Sequence, residues 1–172
     1  LPYVPLRADV ALTADRATAW PVGPERRVLL EGDARIAIGS YRFRADNAVA
    51  FITPVQPTRG TRARQIELYL DNVRQIGDGG PIEAEAPRLL VTAMVRGAVK
   101  LTTDRLNREP APDHSLVTAA ADRVQRYHNA LRERMVAMGD AEPVYPPHVL
   151  QRKRQRQEAV RAERFAAATG DD

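Results

Sequence analysis

The chain has 172 residues, about the size of one domain, with 28% charged residues and a formal net charge of +4. It contains no cysteine, which excludes disulfides, zinc–thiolate sites and cysteine nucleophiles. No apolar stretch reaches the roughly 18 residues of a membrane-spanning helix, so none is predicted. The first residue is Leu1 rather than Met, which indicates a processed chain or a part of a longer one.

The first predicted strand covers residues 10–20, and a hairpin follows over residues 28–52. In the first arm of the hairpin the apolar residues occupy even positions. They move to odd positions after Gly39-Ser40, as a two-residue hairpin turn requires. The predicted pairs on the apolar face are Ile38–Tyr41, Ile36–Phe43, Ala34–Ala45, Gly32–Asn47, Leu30–Val49 and Val28–Phe51.

The same alternation predicts further strands at residues 66–71 and 89–101, with turns at 54–60 and 77–81. In the later strand the residues of one face continue across Gly97, and they are Leu89, Val91, Ala93, Val95, Val99 and Leu101. This pattern is typical of an antiparallel sheet with one dry and one wet face.

A short motif recurs in these strands. Ala14-Asp15-Arg16-Ala17 matches Ala45-Asp46-Asn47-Ala48 at an offset of 31 residues, and Thr103-Asp104-Arg105-Leu106 is a fainter third copy. Repeats of about 30 residues indicate units that stack around a shared core. The recurring aspartates are predicted to act structurally, with each side chain bonding nearby backbone at a strand bend.

The pattern changes to a helical period after Pro110 and Pro112, so we predict a β domain over residues 1–109 and a helical extension over 113–172. An amphipathic helix is expected at 115–138, capped by Asp113 or Ser115, with His128 facing solvent. Its predicted apolar stripe is Leu116, Ala120, Val124, Tyr127, Leu131, Met135 and Met138. A second, basic helix is expected at 149–168.

Signatures of catalysis are nearly absent from the sequence. Neither of the two serines, Ser40 and Ser115, lies in a Gly-x-Ser-x-Gly turn. The three histidines lack metal-ligand spacing. The glycines at 77–80 precede Pro81 rather than the Lys-Ser/Thr of a phosphate loop. We therefore predict no catalytic residue, no metal, no cofactor and no enzymatic activity.

The segments 29–36 and 41–48, Leu-Leu-Glu-Gly-Asp-Ala-Arg-Ile and Tyr-Arg-Phe-Arg-Ala-Asp-Asn-Ala, resemble the OstA-like (LptA-type) family of lipopolysaccharide-transport proteins. The resemblance covers roughly residues 10–106. It implies a periplasmic antiparallel β-jellyroll of repeated hairpins, in two V-shaped sheets whose apolar interior shields acyl chains during outer-membrane assembly. It also implies edge-to-edge stacking, as a homo-oligomer or with other transport components. The helical region after residue 113 is no part of the family pattern.

By this resemblance the chain is a non-enzymatic module that binds lipopolysaccharide or a similar amphiphile. The expected acyl-chain groove consists of Leu30, Ile36, Ile38, Tyr41, Phe43, Val49, Phe51, Leu68 and Leu70. The same residues are also what the core of any β-sandwich requires, and from the residues alone the core role is favoured at each position. Candidate headgroup contacts are Arg35, Arg42 and Arg44.

The alternative is a structural β domain without a lipid ligand, whose basic tail acts in assembly or in nucleic-acid contact. Six cations lie in residues 152–164, together with Glu158 and Glu163. Nucleic acid is the less favoured partner, because only Phe165 is nearby for base stacking.

Overall fold

Alternating apolar residues and short turns produce six long strands, followed by helices. The computed structural model describes residues 4–77, 84–138 and 155–162. The strands and the main helix are β1 (Val10–Val22), β2 (Glu25–Ile38), β3 (Tyr41–Val55), β4 (Ala63–Gly77), β5 (Ala84–Val95), β6 (Val99–Asn107) and α1 (Ser115–Ala137). Residues 155–162 form an exposed second helix, α2. The predicted mainly β, mostly antiparallel fold with a C-terminal helical region is confirmed.

The six strands form one sheet in the order β5-β4-β3-β2-β1-β6. Every neighbouring pair is antiparallel except β1 and β6, which are parallel. The resemblance implies two sheets, whereas the described strands belong to this single one. The edge strands β5 and β6 are consecutive in the chain and are separated only by residues 96–98.

The sheet rolls so that its two edges approach each other. The segment before β1 pairs with the end of β5, since Leu6 N donates to Met94 O at 2.8 Å and Arg96 N donates to Leu6 O at 2.9 Å. Gly97 allows this closure, because a Cβ added there would lie 2.1 Å from Ala8 O. The segment continues into β1, which pairs with β6, so the chain from Leu6 through β1 contacts both edge strands of the sheet.

One face of the rolled sheet, called here the concave face, buries an apolar cluster to which all six strands contribute. Leu30, Leu68 and Leu70 on this face are fully buried, although α1 covers only the opposite face. The curvature of the sheet therefore buries the concave face. The strand predicted at 89–101 is instead two strands, β5 and β6, at opposite edges of the sheet, because the chain turns at residues 96–98. The apolar residues predicted to share a face, from Leu89 to Leu101, nevertheless all belong to this cluster or pack against it.

The hairpin register is correct near the turn and wrong farther from it. Ile38–Tyr41, Ile36–Phe43 and Ala34–Ala45 are confirmed. A β-bulge then adds a residue to β2 at Gly32 and Asp33, whose φ angles are 81° and 45°. Beyond the bulge the predicted pairs Gly32–Asn47, Leu30–Val49 and Val28–Phe51 are replaced by Glu31–Asn47, Leu30–Ala48 and Val28–Ala50.

The repeated Ala-Asp-x-Ala motif lies where the pairing between strands changes register. Register shifts also occur between Thr13 and Arg16 in β1 and between Arg44 and Ala45 in β3. Strict alternation places residues three apart on opposite faces, yet both alanines of each of the first two copies lie in the concave cluster. The third copy lies beside the first, because Thr103 pairs with Ala14 and Leu106 with Ala17.

Helix α1 packs on the face opposite the concave one, through Val117, Ala120 and Val124. Ala120 and Val124 were predicted in the stripe, but Leu131 is 36% exposed and Met138 is 73% exposed. The cap is neither Asp113 nor Ser115: the N-cap is His114, whose Nδ1 accepts from Leu116 N at 3.2 Å. Of the basic helix predicted at 149–168, residues 155–162 are helical and the remainder lies outside the described residues.

Candidate binding cavity

A cavity of about 630 Å³ opens on the concave face, at the end of the sheet that carries the β1–β2 turn. Volumes between about 300 and 1,000 Å³ are typical of small-molecule sites. Its apolar wall consists mainly of Leu12, Val28, Ile52, Val99, Leu101 and Leu106. Prolines 21, 24 and 54 also line it, so most of its lining is hydrocarbon.

The bulge in the β2–β3 hairpin decides which side chains reach this cavity. Strict alternation from Phe43 would place Phe51 on the concave face. The shift in register instead places Ala48, Ala50 and Ile52 there. Phe51 then lies on the other face, beneath α1. The residue that precedes Ile52 on the concave face of β3 is therefore the small Ala50, and the bulky ring of Phe51 does not enter the cavity.

Three arginines, Arg26, Arg64 and Arg108, complete the lining of the cavity. They come from β2, from β4 and from the residue after β6, so the rolled sheet brings together positions far apart in sequence. All three are exposed, and Arg64 Nη1 donates to Gly97 O at 2.7 Å. A guanidinium stays charged at any working pH and matches carboxylate or phosphate oxygens in a bidentate manner. No acidic residue is among the lining residues.

The residues predicted as an acyl-chain groove do not form one surface. Leu30, Ile36, Ile38, Phe43, Leu68 and Leu70 are buried in the concave cluster. They form its packed core, and none of them is among the residues lining the 630 Å³ cavity. Val49 and Phe51 lie instead on the side of the sheet that α1 covers. Beyond the register shift, the odd-numbered residues of β3 point away from the concave face. Tyr41 is 48% exposed beside the hairpin turn.

The candidate headgroup residues Arg35, Arg42 and Arg44 do come together, around a depression of about 300 Å³. They alternate with the buried Ala34, Ile36 and Phe43, so they lie on the face opposite the concave one. Arg44 is eight positions from Ile52 along β3, which is about 26 Å at a rise of ~3.3 Å per residue. These arginines are therefore remote from the cavity.

Asp33 neutralises part of this arginine cluster. Its carboxylate accepts from Arg44 Nε at 2.6 Å and from Arg35 Nη2 at 2.6 Å. These hydrogen bonds, to Arg44 first and then to Arg35, lower the pKa of Asp33 below its usual range. Arg42 donates to the carbonyl oxygens of Gly39 and Tyr41 instead.

The recurring aspartates have different surroundings. Asp46 accepts from Asn72 Nδ2 and pairs with Arg74 Nε at 2.7 Å, and these bonds lower its pKa. Its partners are therefore side chains of β4 rather than nearby backbone. Asp15 Oδ2 lies 2.6 Å from the position that a Cβ on Gly32 would occupy, and the φ of 81° at Gly32 also favours glycine, so a larger residue there would be strained.

Two buried polar pairs, His128 with Glu67 and Arg27 with Glu25, lie on the side of the sheet that α1 covers, and neither was predicted. His128 is 8% exposed, and its Nε2 lies 2.6 Å from Glu67 Oε1. Arg27 Nε donates to Glu25 Oε1 at 2.7 Å, and its guanidinium lies over the Phe51 ring at 5.4 Å. The expectation that His128 faces solvent was wrong, because α1 turns this position toward the sheet.

One sequence signal could have revealed this covered face. Two large apolar residues, Leu29 and Tyr69, lie on the side of their strands that was expected to be wet. Both are buried beneath α1, together with Trp20, Val49 and Phe51. A sheet with bulky apolar side chains on both faces requires a covering layer on each.

Among residues 4–77, 84–138 and 155–162, no cluster of three or more His, Cys, Asp or Glu residues has a geometry for holding a metal ion. Within the same residues, no helix combines the length and apolar character needed to cross a bilayer. Comparison of the chain with protein-family models, with curated proteins and with solved structures gives no match.

Proposed function

We propose that the protein binds an amphiphile, with the apolar chain in the 630 Å³ cavity and an anionic headgroup at Arg26, Arg64 and Arg108. The combination of a hydrocarbon wall and three arginines in one cavity carries this proposal. Hydrophobic burial and charge-assisted hydrogen bonds would then act on the two ends of one ligand. The role is binding or transport rather than catalysis.

Burial of the apolar chain would be a large favourable contribution to the binding free energy. Each methylene transferred from water contributes about 0.8 kcal/mol, so a buried stretch of eight contributes roughly 6 kcal/mol. Bidentate contacts with the guanidinium groups would add to this and select a phosphate or carboxylate head. Lipopolysaccharide has both acyl chains and phosphates, so the ligand and the periplasmic transport role implied by the OstA-like resemblance belong to this proposal.

Calorimetric titration with dodecyl phosphate and with dodecanol would test the proposal. Leu101→Trp, which fills the cavity, is expected to weaken binding of both ligands at least tenfold. Arg26→Ala combined with Arg64→Ala is expected to weaken dodecyl phosphate selectively. The matched controls are Leu131→Trp on α1 and Arg42→Ala at the hairpin, both of which should bind as the parent does. Equal binding by Leu101→Trp and the parent, with both folded, would refute a ligand in this cavity.

The alternative role in assembly or nucleic-acid contact depends on the basic segment 152–164. The structure describes residues 155–162 of it as an exposed helix. A titration with single-stranded oligonucleotides, run beside the amphiphile titration, distinguishes the two. Binding of oligonucleotide that is lost in Arg156→Glu, without binding of either amphiphile, would favour the alternative.

A further inference from the structure

A second surface of α1 lies beside the face that packs on the sheet. Arg123, Arg126, Tyr127, Ala130, Leu131 and Arg134 line a depression of about 440 Å³. Their spacing of three and four residues places them along one side of the helix. These six residues are called the basic stripe below. Met138, four residues after Arg134, extends it with a side chain that is 73% exposed.

The basic stripe joins three guanidinium groups with exposed apolar surface. Leu131 is 36% exposed, and Tyr127 is half-buried, with its ring in an edge-on contact 5.4 Å from that of His128. Asp122 and Glu133 belong to the same helix but are not among the lining residues. An exposed helix side of this composition fits a negatively charged surface that also accepts apolar side chains.

We propose that the basic stripe binds the surface of an anionic lipid bilayer. Arginine stems lie along the apolar boundary while their guanidinium groups reach lipid phosphates, and tyrosine suits the interfacial region. Like charges oppose the pairing of this stripe with a second copy of itself. Nucleic acid would use the arginines but gives no partner to the exposed Leu131 and Met138, so the apolar component favours a bilayer.

Sedimentation with lipid vesicles tests this proposal in the full chain. The vesicles are pure phosphatidylcholine, or phosphatidylcholine with about a third of phosphatidylglycerol. We expect binding to the anionic vesicles only. Arg126→Glu combined with Arg134→Glu should reduce the apparent affinity by roughly tenfold or more, since each basic residue near a charged bilayer contributes appreciably. Leu131→Asp should also reduce it, by removing apolar contact.

The matched control is Arg59→Glu combined with Arg62→Glu, which changes the net charge equally in the exposed β3–β4 loop. Equal loss in this control and in the stripe variant would overturn the proposal, because net charge alone would then explain binding. Absence of vesicle binding would also overturn it, as would binding of poly-uridine or poly-glutamate through the stripe without vesicle binding.

The vesicle result is separable from ligand binding in the cavity. Leu101→Trp, which fills the cavity, should bind anionic vesicles as the parent does. The stripe variant should in turn keep the parent's affinity for dodecyl phosphate. Loss of vesicle binding in Leu101→Trp would overturn the proposal that the basic stripe binds the bilayer independently of the cavity, and it would assign the lipid contact to the cavity.

Discussion

His128 Nε2 on α1 lies 2.6 Å from Glu67 Oε1 on β4, and both side chains are almost fully buried. The two residues are 61 positions apart in sequence. His128 therefore lies on the same inward side of α1 as the buried Val117, Ala120 and Val124.

Replacement of His128 by Ala is expected to destabilise the fold by about 2–4 kcal/mol, since it removes a buried hydrogen-bonding group of Glu67 and leaves a gap. Chemical unfolding monitored by the fluorescence of the single tryptophan, Trp20, measures this change. The double variant Glu67→Leu with His128→Leu should recover much of the loss, because both polar groups are then absent. A cost no greater than that of the exposed control Asn129→Ala would contradict the assigned contact.

Replacement of Gly97 by Ala should open the contact between the first segment and the edge strand. The added Cβ would lie 2.1 Å from Ala8 O, so backbone must move. We expect faster amide hydrogen exchange at Leu6 and Val10 and a lower melting temperature. Gly77→Ala is the control, because its added Cβ has no heavy atom within 4 Å. Unchanged exchange in Gly97→Ala would show that the closure does not depend on this glycine.

Replacement of Asp33 by Asn tests the arginine pair at the hairpin. The folded-state pKa of Asp33 lies below its ordinary value of 3.8. The ionised carboxylate therefore stabilises the fold above that pH, and the contribution is lost as the pH falls through the folded-state pKa. Asparagine tolerates the positive φ of this position, so the bulge should remain. The stability difference between parent and variant should be small, present at pH 6 and progressively lost as the pH is lowered below 3.8; a difference independent of pH would contradict it.

Replacement of Phe51 by Ala should destabilise the fold by about 3–5 kcal/mol, as is typical for a buried aromatic ring. Because Phe51 lies beneath α1, amides of the helix should lose protection from exchange. Dodecyl phosphate binding by the folded variant should remain near the parent's. Selective loss of that binding, with α1 still protected, would return Phe51 to the ligand site.

Local pattern was enough to predict the two strands and the turn of the β2–β3 hairpin, but it merged β5 and β6 into one strand. Alternation identified the two faces as far as Ala34 and Ala45. Alternation could not predict the bulge at Gly32 and Asp33. A bulge also reflects packing between neighbouring strands, such as that of Asp15 beside Gly32. The Ala-Asp-x-Ala repeat was visible in the sequence, but its spacing acquires meaning only once both alanines are known to share a face.

The helix and the cavity show a similar limit. Leu116 and Val117 are both apolar, so periodicity alone left the rotation of α1 open by about one residue. In the structure Val117 is buried, on the same side of the helix as His128. Arg26, Arg64 and Arg108 carry no shared motif. They meet only because the sheet rolls, which no spacing along the chain expresses.

Because β1 pairs in parallel with β6, the sheet forms through two kinds of strand pairing, local hairpins and one pairing between distant parts of the chain. Strands β1 to β5 pair as successive hairpins, each between strands that are neighbours in sequence. Strand β6 instead pairs with β1, about ninety positions earlier in the chain. At the start of this pairing Ala98 N donates to Asp9 Oδ1 at 2.7 Å. Contacts between such distant residues form slowly. Val99 and Leu101 complete the cavity wall only at that step, so an amphiphile bound as proposed would stabilise the closed sheet over a form in which β6 is unpaired.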